Sequence, residues 1–398
     1  ANVRDDVDEI LPGVVADRRH LHEHPELGFE EFETARFVAE RLASLGVEDI
    51  RTEVNVTGVT GLITGTGSGP GRDRCVLVRA DMDALPIQEE NDVEYRSQND
   101  GKMHACGHDA HTAMLLGVAR VLMDRRDQFA GTVKVLFQPS EEAGEGGAKG
   151  MIEQGVLDDP HVDACLGLHV SSGLPTGRIE VMNGPKSAAA DEFEITIQGQ
   201  GGHGAYPHES VDPVAVGAQI VVAMQTLVSR ETDPIDRAVV SVCAFHSGEA
   251  FNVIPDTATL GGTVRTFDAE TRDRMEARIR ALAGGIAESM RASVSIRYRR
   301  GYPSVVNDPE MSDIVRAAAR EAVGEDNLGE AKPGMGAEDF SYFALERPSC
   351  FFNVGTGSSD KDSEWPHHHP RFDLDEDGMA AGIATMATAV VKYLNEAS

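Results

Sequence analysis

The sequence is poor in cysteine and has no long apolar run. Its 398 residues include five cysteines, an odd number scattered along the chain. This pattern excludes a disulfide framework and indicates a reducing, cytoplasmic setting. No stretch reaches the roughly 18 uninterrupted apolar residues of a membrane span. Residues 1–10 are polar and acidic, without the apolar segment of a signal peptide. We therefore expect no membrane partner.

Lysine is also scarce. Only seven of the 36 basic residues are lysine and 29 are arginine, against 66 acidic residues, so the formal net charge is −30. A field of this sign repels phosphate backbones, and we expect no nucleic-acid partner. Abundant acid with little lysine is typical of proteins that work in high salt, where self-repulsion is screened. A halophilic source is therefore our hypothesis, and an ordinary acidic cytosolic protein is the alternative.

The composition is otherwise that of a globular protein, with 41% hydrophobic and 26% charged residues, and the length allows two domains. In the first half, helical and strand patterns alternate. The helical stretches are 5–22, 30–45 and 110–124, and the apolar strands are 75–80, 132–137 and 163–169. Such alternation predicts an α/β fold with a mainly parallel sheet and helices on both faces. Ligands of such sheets bind at the carboxyl ends of the strands.

The middle of the chain has a different pattern. Its order is strand, helix, strand, strand, helix, strand, over residues 193–197, 211–228, 239–245, 257–266, 269–290 and 294–298. This order predicts a ferredoxin-like α+β unit. Helical patterns return at 309–323, 337–345 and 376–395. We therefore predict one α/β domain, formed by residues 1–183 and 299–398, that is interrupted by an inserted domain over residues 184–298.

The densest group of chemically active residues surrounds Cys106 and His108. They lie two residues apart in a glycine-containing loop before an apolar helix, where a thiolate and an imidazole can turn toward one metal ion. We expect Asp109 to orient a ligating imidazole. His111 lies one turn into the helix, and packing or capping is as good an interpretation as a functional role.

A second group consists of Glu141 and Glu142, which follow the apolar strand 132–137. Adjacent side chains in extended backbone point in opposite directions. One carboxylate could therefore bind a metal ion while the other faces a water molecule and acts as general base. The alternative is a solvated acidic loop.

Three further sites are weaker alone. His169 ends an apolar strand, His367–His369 form a triplet, and Asp81 and Asp83 follow another strand, where they could be close to a metal or only cap the loop. Thiol, imidazole and carboxylate donors together favour Zn, Mn, Co or Ni over Mg or Ca. Because carboxylate and imidazole predominate over thiolate, an open catalytic site is favoured over a closed structural one.

Taken together, these motifs resemble the amidohydrolase branch of the metallo-aminoacylase and carboxypeptidase family with co-catalytic metals. This branch includes N-acyl-amino-acid amidohydrolases, hippurate hydrolases and auxin-conjugate hydrolases. The resemblance covers nearly the whole chain. Its matching stretches are residues 19–27, 80–88, 101–112, 137–144, 167–170, 201–208, 251–255, 262–267, 336–342 and 368–373.

The resemblance implies two divalent metal ions and a general base, Glu141, which takes a proton from the attacking water and returns it to the leaving amine. The implied ligands are Cys106, His108, Glu142, His169 and His368. His367 and His369 flank the last of these and are its alternatives. Glu338 and Asp339 match a family motif to which we assign a supporting role.

The inserted domain resembles the family's lid, which mediates dimerisation. The resemblance implies a homodimer in which His203, of the motif Gly-Gly-His, reaches the active site of the partner subunit and helps to hold the oxyanion. Asn252 and Arg265 match substrate-binding positions. A guanidinium can grip a free carboxylate with two hydrogen bonds, as a substrate ending in an amino acid requires.

We therefore predict a metal-dependent hydrolase that cleaves the amide bond of N-acyl-L-amino acids, which are small-molecule substrates. Asp81-Met-Asp83 replaces the His-x-Asp of the peptidase branches, which argues against a true dipeptidase. The alternatives are a carboxypeptidase or dipeptidase, a hydrolase with Cys106 as nucleophile, and a metal-storing or sensory protein. His20, His22 and His24 have the wrong spacing to share a helix face, and we interpret them as structural or as supporting the metal ligands.

Overall fold

The computed structural model describes residues 2–396, which form two compact units. The large unit comprises the described parts of residues 1–186, 306–332 and 339–398, and the small unit comprises residues 187–305 and 333–338. The helices among these residues are α1 Val3–Glu23, α2 Phe32–Ser44, α3 His108–Asp124, α4 Ala148–Glu153, α5 Pro213–Met224, α6 Thr226–Ser229, α7 Ala269–Ser289, α8 Pro309–Val323, α9 Ser341–Glu346 and α10 Gly378–Asn395. None of these helices is long and apolar enough to cross a bilayer.

The strands follow the same chain order. They are β1 Glu48–Val54, β2 Gly58–Thr64, β3 Cys75–Asp81, β4 Thr132–Gln138, β5 Ala164–Pro175, β6 Ile179–Val181, β7 Gly184–Pro185, β8 Ala189–Gln198, β9 Gly202–His203, β10 Ala238–His246, β11 Val253–Ile254, β12 Thr257–Thr266, β13 Ser293–Arg300, β14 Val306–Asn307, β15 Leu328–Glu330 and β16 Ser349–Gly357.

The large unit is built on an eight-stranded sheet with the order β1-β2-β4-β3-β5-β16-β6-β15. The four central strands β4, β3, β5 and β16 are parallel to one another, and antiparallel pairs flank them. Every residue of β3 is buried, as expected of a continuous apolar strand that is covered on both faces. The predicted α/β class with a mainly parallel sheet is confirmed.

Alternation along β3 shows what covers each face. Val76 and Val78 belong to the core cluster that also contains apolar residues of α1, α3, α8 and α10. Arg79 points to the opposite face, where it bonds to Asp339, two residues before α9. Helices therefore cover one face of the sheet, and the segment that leads into α9 lies on the other.

The small unit has a four-stranded antiparallel sheet with the order β10-β12-β8-β13. Two helices, α5 and α7, supply the apolar residues that pack on Phe193, Ile195 and Ile197 of β8. This strand order and connectivity are those of a ferredoxin-like unit, which confirms the predicted α+β class. The assignment of catalytic and lid roles to the two units stays a prediction.

Some elements differ from the sequence-based prediction. The hairpin β1–β2 was not predicted, because β1 is largely exposed and carries charged residues instead of an apolar alternation. The single helix predicted over residues 211–228 is divided at Gln225 into α5 and α6.

Candidate metal centre

Parallel strands bring the chemically active residues to one edge of the large unit's sheet. Asp81 ends β3, Glu141 follows the end of β4 by three residues, and His169 lies within β5. Since β4, β3 and β5 are parallel neighbours, their carboxyl ends meet at the same edge. The loop before α3 adds Cys106, and His108 begins that helix.

The five predicted metal ligands lie together at this edge. Donor atoms of Cys106, His108 and His169 lie within 4.8 Å of one another, as do those of Cys106, Glu142 and His368. The Sγ atom of Cys106 is 3.6 Å from Nε2 of His169. Cys106 is common to both groups, so the arrangement can hold two neighbouring cations.

Two of the predicted imidazole ligands are held in the same way, through a hydrogen bond from Nδ1 to a backbone carbonyl. Nδ1 of His108 donates to the carbonyl of Asp83 at 2.8 Å, and Nδ1 of His169 donates to the carbonyl of Val170 at 2.7 Å. These bonds leave both Nε2 atoms directed toward the centre. Metal-binding histidines are commonly oriented in this way by a bond from the other ring nitrogen.

The surroundings of the His108 Nε2 atom are suited to a bound cation. The atom is buried and has no hydrogen-bond partner among residues 2–396. Carboxylate oxygens of Asp81, Glu141 and Glu142 lie 3.4, 3.9 and 3.8 Å away. Burial opposes protonation, but the charge of Asp81 and the bond to Asp83 outweigh it and raise the pKa of His108 well above its usual value. A buried nitrogen surrounded by carboxylates suits a divalent cation, so the residues fit the implied metals.

The backbone at Glu141 and Glu142 is not extended. Ser140 has a φ of +49°, and both following carboxylates approach Nε2 of His108. The expectation that the two carboxylates point in opposite directions is therefore wrong. The Glu142 amide donates to Asp83 Oδ2 at 2.8 Å, so Asp83 supports both His108 and Glu142.

Hydrogen bonds distinguish the three histidines of the triplet as candidate metal ligands. Nδ1 of His367 bonds to the carbonyl of Cys106, and its Nε2 accepts from the amide of Ser172. His369 accepts from the amide of Arg371. His368 instead brings a ring nitrogen to the side-chain donor atom of a predicted ligand, with Nε2 3.1 Å from Oε1 of Glu142, whereas these bonds of His367 and His369 go to backbone atoms. This geometry favours His368 over its two neighbours.

Asp81 and His111 form a hydrogen-bonded pair next to the predicted metal ligands. Nδ1 of His111 donates to Asp81 Oδ1 at 2.6 Å, and its Nε2 accepts from the amide of Val170 at 3.0 Å. Both ring nitrogens are used within the protein, which favours the packing interpretation of His111 over a functional one. Burial opposes ionisation of Asp81, but the charges of His108 and Arg79 outweigh it and hold the pKa of Asp81 well below its usual value.

Asp109 does not orient a ligating imidazole, contrary to the expectation from sequence. It accepts hydrogen bonds from Nε of Arg18 at 3.0 Å and from Nδ1 of His22 at 2.7 Å, and Arg18 also binds Asp373 at 3.0 Å. Sequence reasoning missed Arg18. Its only signal was its position beside the stretch 19–27, because a fully buried arginine cannot be distinguished from an exposed one by type alone.

The surroundings of Cys106 disfavour a thiolate nucleophile. Burial and the charges of Glu142 and Glu141 raise the pKa of the Cys106 thiol well above its usual value. Burial and the neighbouring His111 hold the pKa of His169 well below its usual value. A nucleophilic Cys–His pair needs the opposite shifts. A bound divalent cation would stabilise the thiolate form of Cys106, since binding to the metal displaces the thiol proton.

The remaining predicted site residues belong to the small unit. His203 lies on β9, which pairs with β11 so that His203 is opposite Val253, and the amide of Gly204 donates to the carbonyl of Asn252 at 2.8 Å. His203 and Asn252 are both exposed. Arg265 lies on β12, half-buried, and donates to Thr263 Oγ1 at 2.7 Å. The small unit thus brings His203 and Asn252 together, with Arg265 on a separate strand.

Comparisons with known proteins identify relatives over nearly the full length. Residues 77–392 match the family described as peptidase family M20/M25/M40. An N-acyl-L-amino acid amidohydrolase from Geobacillus stearothermophilus is 47% identical over 76% of this chain and 80% of the relative. Thermostable carboxypeptidase 1 from Saccharolobus solfataricus is 39% identical over 99% of this chain and 98% of the relative.

A solved structure is also similar. The YxeP protein of Bacillus subtilis, described as a dinuclear metal-binding peptidase of the M20 family, superimposes with a TM-score of 0.84 at 36% identity, covering 97% of this chain and 99% of that one. The family match and these identities establish that the chain is a metal-dependent amidohydrolase and belongs to peptidase family M20/M25/M40.

Proposed function

We propose that this enzyme cleaves the amide bond of N-acyl-L-amino acids, with Glu141 as general base. The observation that carries the proposal is the position of Glu141. Its carboxylate lies 3.9 Å from Nε2 of His108, and it is a buried acid beside the five clustered donors that is not one of the predicted ligands. Asp81 and Asp83 share these features, but Asp81 is bound by Arg79 and His111, and Asp83 is bound by His108 and the Glu142 amide. A carboxylate held there can take a proton from the attacking water and return it to the leaving amine.

The residues that would hold two divalent cations are Cys106, His108, Glu142, His169 and His368. Bound divalent cations, of which Zn, Mn, Co and Ni suit these donors, would polarise the scissile carbonyl and make water more acidic. Asp83 keeps the His108 ring and the Glu142 backbone in place through its own hydrogen bonds. The large unit would thus be the catalytic domain.

The small unit would serve as lid and dimerisation domain. His203 and Asn252 are exposed and adjacent, as residues that reach into a partner's active site must be. Apolar side chains are also exposed on its edge strand β10 and on α5, including Phe245 and Val222, the latter 67% exposed. An edge strand with exposed apolar neighbours suits pairing with a second copy of the chain. This supports a homodimer.

Arg265 would bind the free carboxylate of the substrate's amino acid. Its guanidinium is half-buried on β12, and among residues 2–396 it donates to Thr263 Oγ1 and to the carbonyl of Val264. A small-molecule carboxylate is therefore a suitable further partner. The five free cysteines, four of them buried, support a reducing, cytoplasmic location.

A metallo-carboxypeptidase is the second candidate, because the 39% identical Saccharolobus relative is named as a carboxypeptidase. Both activities need a free carboxylate, and they differ in the group on the other side of the amide bond. Metal-reconstituted enzyme should therefore be assayed on N-acetyl-L-methionine, hippurate and an unblocked dipeptide. The proposal expects the first two to be hydrolysed with the higher kcat/KM. A preference for the dipeptide would favour the second candidate.

Glu141→Gln tests the general base. We expect kcat to fall by about 10²–10⁴-fold with bound metal unchanged, because the substitution removes the proton acceptor and keeps the shape. Glu145→Gln is the matched control, since Glu145 is an exposed acid in the same loop, and it should keep full activity. A Glu141→Gln enzyme that retains most of its kcat, with metal content measured by elemental analysis, would refute the role.

A further inference from the structure

Glu31 is a buried carboxylate that the mechanism above does not use. It directly precedes α2 and is fully buried, and no lysine, arginine or histidine of residues 2–396 forms an ion pair with it. Burying a carboxylate without a cation is costly. Burial raises the pKa of Glu31 to about 7, although bonds from Thr57 and the Ser140 backbone oppose the shift. The unfavourable burial of the Glu31 carboxylate therefore indicates a role other than filling space in the core.

The hydrogen bonds of Glu31 lead to the loop that carries the proposed general base. Oε1 accepts from the amides of Phe29 at 3.0 Å and Ser140 at 2.9 Å. Oε2 accepts from the hydroxyl of Thr57 at 2.5 Å. Ser140 directly precedes Glu141, so the Glu31 carboxylate binds the backbone one residue from the base.

Ser140 needs such support because of its backbone conformation. Its φ of +49° lies in the left-handed region, which is unfavourable for a residue with a side chain. The segment before Glu31 also packs tightly on it. A Cβ atom added to Gly28 would lie 2.5 Å from Oγ and 3.1 Å from Cα of Ser140. Gly28 therefore packs closely against Ser140 in this conformation, and Glu31 binds its amide.

The chain is held on the other side of Glu141 as well. The amide of Glu142 donates to Asp83 at 2.8 Å. The residues on either side of Glu141 therefore each donate their backbone N–H to a buried carboxylate. Ser140 donates to Glu31, and Glu142 donates to Asp83. Because Asp83 also contacts a predicted metal ligand, Glu31 is the member of this pair that can be changed without touching the metal centre.

We propose that Glu31 is a positioning residue, which directs the Glu141 carboxylate toward its reacting water by fixing Ser140 in the left-handed conformation. The inference rests on the proposed function, because it takes Glu141 as the general base. It predicts that loss of the Glu31–Ser140 bond slows the chemical step without weakening substrate or metal binding. A displacement of about 1 Å at a catalytic group can cost about 10²-fold in rate.

The test replaces the acceptor and keeps the volume. In Glu31→Met, we expect kcat on N-acetyl-L-methionine to fall at least tenfold, with KM within twofold of the wild type and metal content unchanged. In Glu31→Gln, the amide oxygen can still accept from Ser140, and kcat should return to within threefold of the wild type. Glu30→Ala is the matched control, since Glu30 is the exposed acid next in sequence and should have no effect.

A double variant separates positioning from general damage. If Glu31 acts through Glu141, adding Glu31→Met to Glu141→Gln should lower the residual kcat by less than threefold. A further tenfold loss in that background, a loss of metal, or a wild-type kcat in folded Glu31→Met would each overturn the inference. Should Glu31→Met not fold, Gly28→Ala pushes on Ser140 from the other side and must show the same split between kcat and KM.

Failure of the inference differs from failure of the proposed function. If Glu141→Gln alone keeps most of its kcat, the assignment of the base is wrong, and the inference, which takes Glu141 as the base, is overturned with it. If Glu141→Gln is inactive while Glu31→Met is fully active, the base stands and only the positioning role is lost.

Discussion

His22 carries a buried positive charge between two carboxylates. It bonds to Asp109 at 2.7 Å and to Glu89 at 2.9 Å. Burial and the neighbouring Arg18 oppose its protonation, but the bonds to Asp109 and Glu89 outweigh them and raise the pKa of His22 from 6.5 to about 9. His22 is therefore a structural residue, in agreement with its interpretation from sequence.

The raised pKa of His22 predicts a pH dependence of stability. Below pH 6.5 the ring is protonated in both states and its stabilisation is complete. As pH rises toward 9, the unfolded chain loses the proton first, so stability falls by up to about 3 kcal/mol. We expect His22→Gln to be less stable at pH 6.5 and to lose less stability by pH 9, as measured by urea unfolding.

The comparison needs a control because metal ligands also titrate. Only the difference between variant and wild type is used, since metal binding contributes to both. His161→Gln, at an exposed position, should follow the wild-type curve. Parallel curves for His22→Gln and the wild type would contradict the stabilising charge.

Single residues could be predicted from sequence where their type restricts their chemistry. Cys106, His108 and His169 lie together, as their shared ability to bind a metal suggests. His169 alone did not indicate a metal site, and it could be predicted as a ligand only in combination with the other motifs. The partners of Asp109 and the bend at Ser140 could not be predicted. Each depends on a residue far away in the chain, Arg18 for the first and Glu31 for the second.

The junction between the metal-binding loop and α3 depends on Gly107. This residue, between two predicted ligands, has a φ of +88°, and an added Cβ would lie 2.3 Å from Cγ2 of Val170. We expect Gly107→Ala to lower the unfolding free energy and the bound metal, because relief of the clash displaces either residue 107, which lies between Cys106 and His108, or Val170, which follows the predicted ligand His169. Gly101→Ala is the control.

The control isolates the backbone contribution. Gly101 also has a positive φ, +75°, but an added Cβ would have no atom within 4 Å. Its replacement should therefore cost only about 1 kcal/mol and leave metal content unchanged. Thermal unfolding and elemental analysis measure both effects. Equal losses in the two variants would show that contact with Val170 is unimportant.

Whole elements were predicted best where they are buried. The apolar patterns of β3, β4 and β5 and the six elements of the ferredoxin-like unit were evident from sequence, because burial imposes a periodic pattern. The hairpin β1–β2 was not, since its outer strand is largely exposed and charged. The strand order β4-β3-β5-β16 depends on pairing between distant segments, about which local patterns carry no information.

At the level of the assembled protein, the proposed homodimer makes a prediction that no monomer can satisfy. If His203 acts in the active site of the partner subunit, Glu141→Gln and His203→Ala damage different halves of each site. A hybrid dimer of the two variants then contains one site with both residues intact. With random mixing of equal amounts, about half of the dimers are hybrids, and about a quarter of wild-type activity should return.

The mixing experiment has an internal control and a clear opposite outcome. The variants are unfolded together, refolded with metal and assayed on N-acetyl-L-methionine, and hybrids are confirmed by a tag on one chain. Glu141→Gln mixed with Cys106→Ala should recover nothing, because both changes lie in the same unit and every site is damaged. If hybrids form but Glu141→Gln with His203→Ala stays inactive, His203 acts within its own chain or not at all. Recovery near a quarter would mean that each catalytic centre is complete only when two copies of the chain combine.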